Sequence, residues 1–380
     1  MDLYIVSSAA YLLTALCLRY NENRGVPADL LVINSFPHAE EYAKKMRETG
    51  CFHKVDLVDK RDFDQWGQLY CKHSDLYILA VGTLFRRFPR LALPMYRNYA
   101  FSKRVYQRTF APGNMPALMW YQLYLIQKHQ CKIYLFDSGL GTRSLREPIK
   151  PGKRVRLMRW LGCLFLEDSV QGRYYFEVAG ANPMYGKPLQ QILLSQDNWD
   201  LVRTVQYCFD YHADTPNLLD HDVIFMQQCF DVYEQYQALC ASQRETWQEV
   251  LRTCPEAVVC LHPRTKERYE PEHTFSAKAG LCTYDVNCMF AEHLEQKVLL
   301  TCFSNALLVP KHMFGKEPYL VFVYKLLNAN EFAGMTIAQW DGLIARSVTA
   351  CYSDPGKVYI PCDIAELRAC LAEIAHRRKP

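Results

Sequence analysis

The sequence predicts an α/β protein built from two Rossmann-like domains facing a central cleft. Apolar, strand-like runs alternate with helical stretches through the first half of the chain, and the same alternation begins again near Asp220. At 380 residues the chain is also long for a single core and suits two domains of ordinary size. Half of the residues are hydrophobic and 22% are charged, a globular composition without signs of disorder or collagen-like repeat.

The first strand is DLYIVS (2–7), followed by AAYLLTALCLRY (9–20) with apolar residues at helical spacing. ADLLVIN (28–34) is a second buried strand, and AEEYAKKMRE (39–48) is a helix with opposite charges one turn apart. CFHKVDLV (51–58), DLYILAVG (75–82) and CKIYLFD (131–137) are further strand candidates. The stretch 143–220, richer in Pro, Gly, Tyr and charge, reads as the end of the first domain and a crossing segment.

The second series opens with the strand DVIFMQQCF (222–230), the helix 232–254 and the strand EAVVCLH (256–262). Strand signals follow at LCTYDV (281–286), KVLLTCF (297–303), YLVFVY (319–324) and KVYIP (357–361). DIAELRACLAEIAHRRK (363–379) starts with an acid and ends in cations, which suits the helix dipole. The expected division is 1–215 and 216–362 for the two domains, with 363–380 as a terminal helix and basic tail.

A net charge of +4 is too small to mark a nucleic-acid binder. Asp2 stands where a secretion signal carries positive charge, and no stretch approaches the roughly 18 to 20 apolar residues of a membrane span, so a soluble, cytoplasmic protein is expected. The sixteen cysteines contain no C-x-x-C pair and read as free thiols in a reducing compartment, with no structural zinc. The stretch 150–166, KPGKRVRLMRWLGCLFL, places basic residues beside an apolar run, and the chain ends in AHRRKP. Such segments rest peripherally on an anionic membrane, or form a solvated helix start before a core-facing segment; both readings stay open.

Three polar segments at predicted strand ends are the candidate site. In FDSGLGT (136–142) the glycines, Gly139 first, permit a tight turn, so that Asp137 either takes a proton from a hydroxyl or caps the turn. In LHPR (261–264) His262 leaves a buried strand, Pro263 fixes the chain direction, and Arg264 with Lys266 keeps the potential positive for a phosphate. In FSN (303–305) Ser304 and Asn305 either cap a helix or present a hydroxyl and amides to an anion. Glu292 in NCMFAEHLEQK (287–297), at the start of a short helix, has the reach to bond ribose hydroxyls. Trp120, Tyr121 and Tyr124 are either sugar-stacking rings or core.

The order acid-Gly, His-Pro, Glu, Ser resembles bacterial sialyltransferases of the two-domain type, above all glycosyltransferase family 52, the lipooligosaccharide sialyltransferases, and more distantly the capsular polysialyltransferases. The likeness runs from IVSSAAYLLTAL through YLFDSGLGT and VIFMQQ to LHPRT, FAEHL and FSNALLVPK. The resemblance implies a GT-B-type fold and an inverting transferase that needs no metal or cofactor. It implies CMP-N-acetylneuraminic acid as donor and a galactose-terminated glycan of lipooligosaccharide, capsule or exopolysaccharide as acceptor. By the same resemblance Asp137 is the general base, His262 of the HP motif contacts the donor phosphate, Glu292 holds the ribose and Ser304 the phosphate. Ser138 stands where a second acid is usual and Asn305 where a second Ser or Thr is common. Transfer of another CMP-sugar such as Kdo, and a non-catalytic role in polysaccharide assembly, are the alternatives.

Overall fold

The computed structural model describes residues 1–22, 25–61, 83–84, 86–91, 99–113, 116–136, 153–178, 181, 187–194, 197–212, 214–232, 236–262, 264–276, 280–332 and 335–378. The chain divides into two compact units, Met1–Cys208 and Phe209–Pro380.

In the first unit the described strands are β1 (Asp2–Val6), β2 (Ala28–Asn34), β3 (Lys54–Asp59), β4 (Arg108–Pro112), β5 (Lys132–Phe136), β6 (Val170–Tyr175) and β7 (Leu189–Gln191). They form one parallel sheet in the order β3-β2-β1-β4-β5-β6-β7. β1 is buried at all five positions, as expected of a strand covered on both faces. The helices are α1 (Ala9–Glu22), α2 (Ala39–Thr49), α3 (Pro116–His129), α4 (Lys153–Trp160) and α5 (Trp199–Cys208). In α2 the buried residues Ala39, Tyr42, Ala43 and Met46 form one stripe at helical spacing, with the charged residues on the other side.

Three strands of this sheet, β4, β6 and β7, were not visible in the sequence. β4 carries an arginine at one end and a proline at the other, yet it is the partner of β1 on the side away from β2. β6 and β7 lie in the stretch expected to be a crossing segment: Gly172 approaches the Pro188 carbonyl closely, and buried Arg173 bonds the Tyr175 hydroxyl at 2.7 Å. The strand expected at 75–82 lies outside the described residues. Tyr121 and Tyr124 are core, 0% and 2% exposed, which removes them as sugar platforms; the side chain of Trp120 is outside the description.

Charge fixes the amino edge of this sheet. Asp29 of β2 is fully buried and accepts from Arg104 at 2.8 Å, from the Tyr106 hydroxyl at 2.9 Å and faces His53 Nδ1 at 3.2 Å. Arg104 also reaches Asp56 of β3 at 2.7 Å. Asp2 and Arg108, register partners on β1 and β4, make a two-point pair at 2.9 and 2.6 Å. These contacts pin four neighbouring strands.

The second unit holds β8 (Val223–Met226), β9 (Val258–Leu261), β10 (Thr274–Ser276), β11 (Val298–Thr301), β12 (Tyr319–Phe322), a small hairpin of β13 (Glu331–Phe332) and β14 (Met335–Thr336), and β15 (Val358–Tyr359). Its parallel sheet runs β10-β9-β8-β11-β12-β15, the 3-2-1-4-5-6 strand order of doubly wound domains. The helices are α6 (Gln237–Thr253), α7 (Tyr284–Phe290), α8 (Val309–Phe314), α9 (Ile337–Ser347) and α10 (Ile364–Arg377). Trp247 of α6 is fully buried beside Phe225 and Tyr269 and donates to Glu270 at 3.1 Å. Asp363 caps α10 by accepting from the Glu366 amide at 2.8 Å.

The segment LCTYDV is a correction: it forms no strand. Thr283 caps a helix there, its hydroxyl accepting from the Val286 amide, and α7 follows.

Removing the Asp29 carboxylate leaves a buried arginine and tyrosine short of a partner. Asp29→Ala is expected to cost about 3–5 kcal/mol in urea unfolding followed by circular dichroism.

Candidate functional site

The site is best built from the carboxyl edge of the second sheet. The register aligns Cys260 of β9, Met226 of β8 and Thr301 of β11, so the three chains leave the sheet side by side. β8 lies between the other two. His262 is two residues beyond Cys260, and Ser304 three beyond Thr301. With strands about 4.8 Å apart, their exits stand roughly 10 Å from each other. Strand order reverses at β8, whose neighbours β9 and β11 wind to opposite sides, and this is where doubly wound sheets open a crevice.

The ladder between β8 and β9 ends in an unusual way. The Gln227 amide donates to the Cys260 carbonyl at 3.0 Å. A regular parallel ladder would next run from the His262 amide to the Gln227 carbonyl. Instead the His262 amide donates to the side-chain Oε1 of Gln227 at 3.0 Å. Gln227 is 3% exposed, and its Nε2 donates to Thr265 Oγ1 at 2.9 Å and Glu267 Oε2 at 2.8 Å. One carboxamide thereby holds the loop after β9 at three points.

Asp231 holds the same loop from another direction. Its Oδ2 accepts from Thr265 Oγ1 at 3.1 Å and from the Lys266 amide. Burial pushes its carboxyl up, but these hydrogen bonds outweigh it and keep the group below the usual carboxylate range. Across the crevice, Gln243 of α6 is fully buried. Its carboxamide accepts from the Gln228 amide at 2.8 Å and donates to the Gln228 carbonyl at 3.0 Å. It gives Gln228 the pair of backbone contacts that a neighbouring strand would otherwise supply.

His262 is partly buried. The Arg264 amide donates to its Nδ1 at 3.2 Å, so the neutral ring carries its proton on Nε2. Burial, with the Arg264 cation nearby, pushes its pKa below the ordinary histidine value, against the pull of Asp231. At neutral pH the ring is an uncharged donor. The side chains of Arg264 and Lys266 are exposed. Ser304 caps the turn Asn305–Leu308, its hydroxyl oxygen accepting from the Ala306 amide at 3.2 Å, which leaves the hydroxyl proton for another acceptor. Burial pushes the neighbouring Cys260 thiol up to about 12 and the Cys302 thiol up as well, so neither is a thiolate near pH 7.

The described structure thus brings His262, Arg264 and Ser304 to one sheet edge. Glu292 is exposed; it follows the end of α7 and stands one residue before His293, the cap residue of a one-turn 3-10 helix at Leu294–Gln296. Asn305 begins the turn after Ser304, and its side chain lies outside the description. Asp137, Gly139 and Pro263 lie outside the described residues; β5 ends at Phe136, one position before Asp137. Gln227, Asp231, Gln243, Thr265 and Glu267 were not anticipated as site residues. A pair of glutamines directly after the apolar run VIFM was the available signal. Among the described residues, no group of three His, Cys, Asp or Glu is arranged to hold a metal ion.

Gln227→Leu removes the acceptor of the His262 amide and one of the donors to the Glu267 carboxylate, which keeps the Tyr269 hydroxyl and Arg244. The expected loss is on the order of 1–3 kcal/mol in urea unfolding, accompanied by broadened His262 ring resonances. In the intact protein the His262 ring should titrate below the ordinary pH 6.5 in NMR spectra, and a phosphate group bound beside it would move that midpoint upward, since a phosphate favours the imidazolium.

No family model and no curated protein matches the chain. Among solved structures it is similar to Methanocaldococcus jannaschii UDP-GlcNAc 2-epimerase in complex with UDP-GlcNAc and UDP, at 9% identity over 100% of this chain and 94% of that chain, with a TM-score of 0.52. It is also similar to Arabidopsis thaliana UGT89C1 complexed with UDP-L-rhamnose, at 11% identity over 99% and 92% of the two chains, with a TM-score of 0.49. The first likeness establishes the fold: two parallel-sheet α/β domains of the GT-B type.

Proposed function

We propose that the chain is a glycosyltransferase with a nucleotide-sugar donor, and that it moves N-acetylneuraminic acid from CMP-Neu5Ac to a hydroxyl of a galactose-terminated glycan with inversion. One observation carries the reading. A histidine held as a neutral Nε2 donor stands two strands from a serine hydroxyl, with exposed cations beside it, at the strand-order reversal of a doubly wound sheet. That combination suits a single phosphate group that turns from diester to monoester as the sugar leaves. The sequence order of acid-Gly, His-Pro, Glu and Ser, which resembles the two-domain bacterial sialyltransferases, supplies the choice of CMP-Neu5Ac.

In this reading the acceptor hydroxyl attacks the anomeric carbon of the donor while the bond from that carbon to the phosphate oxygen breaks. Its electron pair leaves with CMP. Asp137 takes the acceptor proton, and His262 Nε2–H and the Ser304 hydroxyl donate to the phosphate oxygens on which charge accumulates. Arg264 adds positive potential, and Glu292 bonds the ribose. The donor has a single phosphate, so no cation bridging two phosphates is required.

A second reading is a UDP-sugar donor, favoured by the UDP-GlcNAc and UDP held in the Methanocaldococcus jannaschii structure.

A panel of CMP-Neu5Ac, CMP-Kdo and UDP-sugars, read by nucleotide release with and without a galactose-terminated acceptor, separates these. Release from CMP-Neu5Ac alone among them, unchanged by chelator, is the expected result. Asp137→Ala should lower transfer by about 100-fold or more while CMP binding survives, and His262→Ala should lower both donor hydrolysis and transfer. Release from UDP-sugars only would replace the CMP reading. Full transfer by Asp137→Ala would remove the base assignment.

A further inference from the structure

The basic, apolar stretch 150–166 finds a second segment beside it. α4 ends at Trp160, and two residues on Gly162 has φ +74°, a left-handed conformation that favours glycine. The Cys163 amide turns back to the Met158 carbonyl at 3.0 Å. The chain then docks on the helical segment beginning at Thr83. Leu164 donates to the Arg86 carbonyl at 3.0 Å, Arg86 Nη1 donates to the Leu164 carbonyl at 3.0 Å, and Phe165 is buried under the Arg86 guanidinium. The Arg87 guanidinium lies over Gly162, its Nη1 donating to the Gly162 carbonyl at 3.5 Å.

Both segments present an apolar stripe outward. On α4 and its end these are Leu157, Trp160 and Leu161, at spacings of three and four, 56%, 81% and 46% exposed. On the neighbouring segment they are Leu84, Phe88 and Leu91, at spacings of four and seven, 46%, 52% and 48% exposed. Helices of a folded domain ordinarily turn such a stripe to the core. Here the core side is taken by Cys163, Phe165 and Leu166, all buried. Exposed Arg87, Arg90 and Arg156 flank the outward stripes, and neither 83–91 nor 148–166 contains an acid. Asp168, just beyond, is paired with Arg159 at 2.6 Å.

We propose that this two-segment surface docks peripherally on an anionic phospholipid bilayer. Trp160 and Phe88 enter the boundary between headgroups and acyl chains, and the arginines meet lipid phosphates. Charge complementarity selects this occupant: among the described side chains beside the apolar face the cations Arg87, Arg90, Arg156 and Arg159 outnumber the one acid, Asp168, and this excess matches an anionic lipid surface. An aromatic side chain with a polar edge is also the residue type favoured at that depth. Among the described residues no helix is long and apolar enough to cross a membrane, so the contact is in the interface plane. This inference does not depend on the identity of the donor.

The test is sedimentation of the full chain with vesicles of phosphatidylcholine alone and of phosphatidylcholine mixed equally with phosphatidylglycerol, at low and high salt. Binding to the mixed vesicles, weakened by salt and accompanied by a blue shift in tryptophan emission, is expected. The double variant Leu157→Asp, Trp160→Asp, whose changes are at exposed positions, should bind about tenfold more weakly or less, with an unchanged circular dichroism spectrum. Trp160→Phe should retain most of the binding. Absence of binding to mixed vesicles, equal binding by the double variant, or self-association that shields Trp160 without lipid would overturn the proposal.

Discussion

The carboxamide of Gln227 determines the shape of the second unit's functional edge. Where β9 leaves the sheet, its chain must give up ladder partners that water cannot replace in a buried position. A backbone amide left unsatisfied there costs more than an ordinary hydrogen bond contributes. Gln227 answers this by offering its side-chain oxygen to the His262 amide in place of its own carbonyl. The chain can therefore turn out of the sheet one residue early without losing a bond. Thr265 and Glu267, tied to the same side chain, and Asp231 beneath them then leave the loop few alternatives. A histidine on such a loop needs little reorganisation to meet a phosphate.

The same problem arises on the other side of β8 and has a similar solution. At the strand-order reversal the loops after β8 and β11 part, so Gln228 loses its neighbour. Gln243 reaches in from α6 and satisfies both backbone groups. At the carboxyl edge two neutral side chains, Gln227 and Gln243, thus take the places of strand partners, and the Asp231 carboxylate holds the loop beside them. The amino edge of the first sheet is held differently, by buried carboxylates paired with arginines at Asp29 and Asp2. Charge is affordable there because each buried carboxylate has its cation. At the candidate site the cations Arg264 and Lys266 are exposed to solvent.

Much of the fold was legible because parallel strands buried on both faces are apolar at nearly every position. DLYIV, ADLLVIN, VIFM, VVCL, VLLT and YLVF each read as strands for that reason. β4 and β6 were not legible, since RTFAP and VQGRYY carry arginines whose partners, Asp2 and Tyr175, only the fold identifies. LCTYDV failed for a local reason, a threonine cap that outweighs an apolar pattern of six residues. At the site, His262 and Ser304 were legible from their places after apolar runs. The clamp was not, because Gln243 is remote from Gln228 in sequence and a side-chain amide that mimics a strand leaves no periodic trace.

The partners of Gln227 also explain why that position is a glutamine. The His262 amide can only donate, so it must face an acceptor. The Glu267 carboxylate can only accept, so it must face a donor. A glutamate at position 227 would set two carboxylates against each other, and a lysine would leave the His262 amide unmet. A leucine would leave the His262 amide unmet and the Glu267 carboxylate with Tyr269 and Arg244 as its neighbours. A carboxamide alone carries an acceptor and two donors on one planar group, and the two partners together fix which end is oxygen. Its neutrality has a further consequence for the chemistry. Asp231 already pulls the His262 pKa up; a further negative charge at position 227 would add to that pull, whereas the amide holds the His262 backbone in place without adding to it.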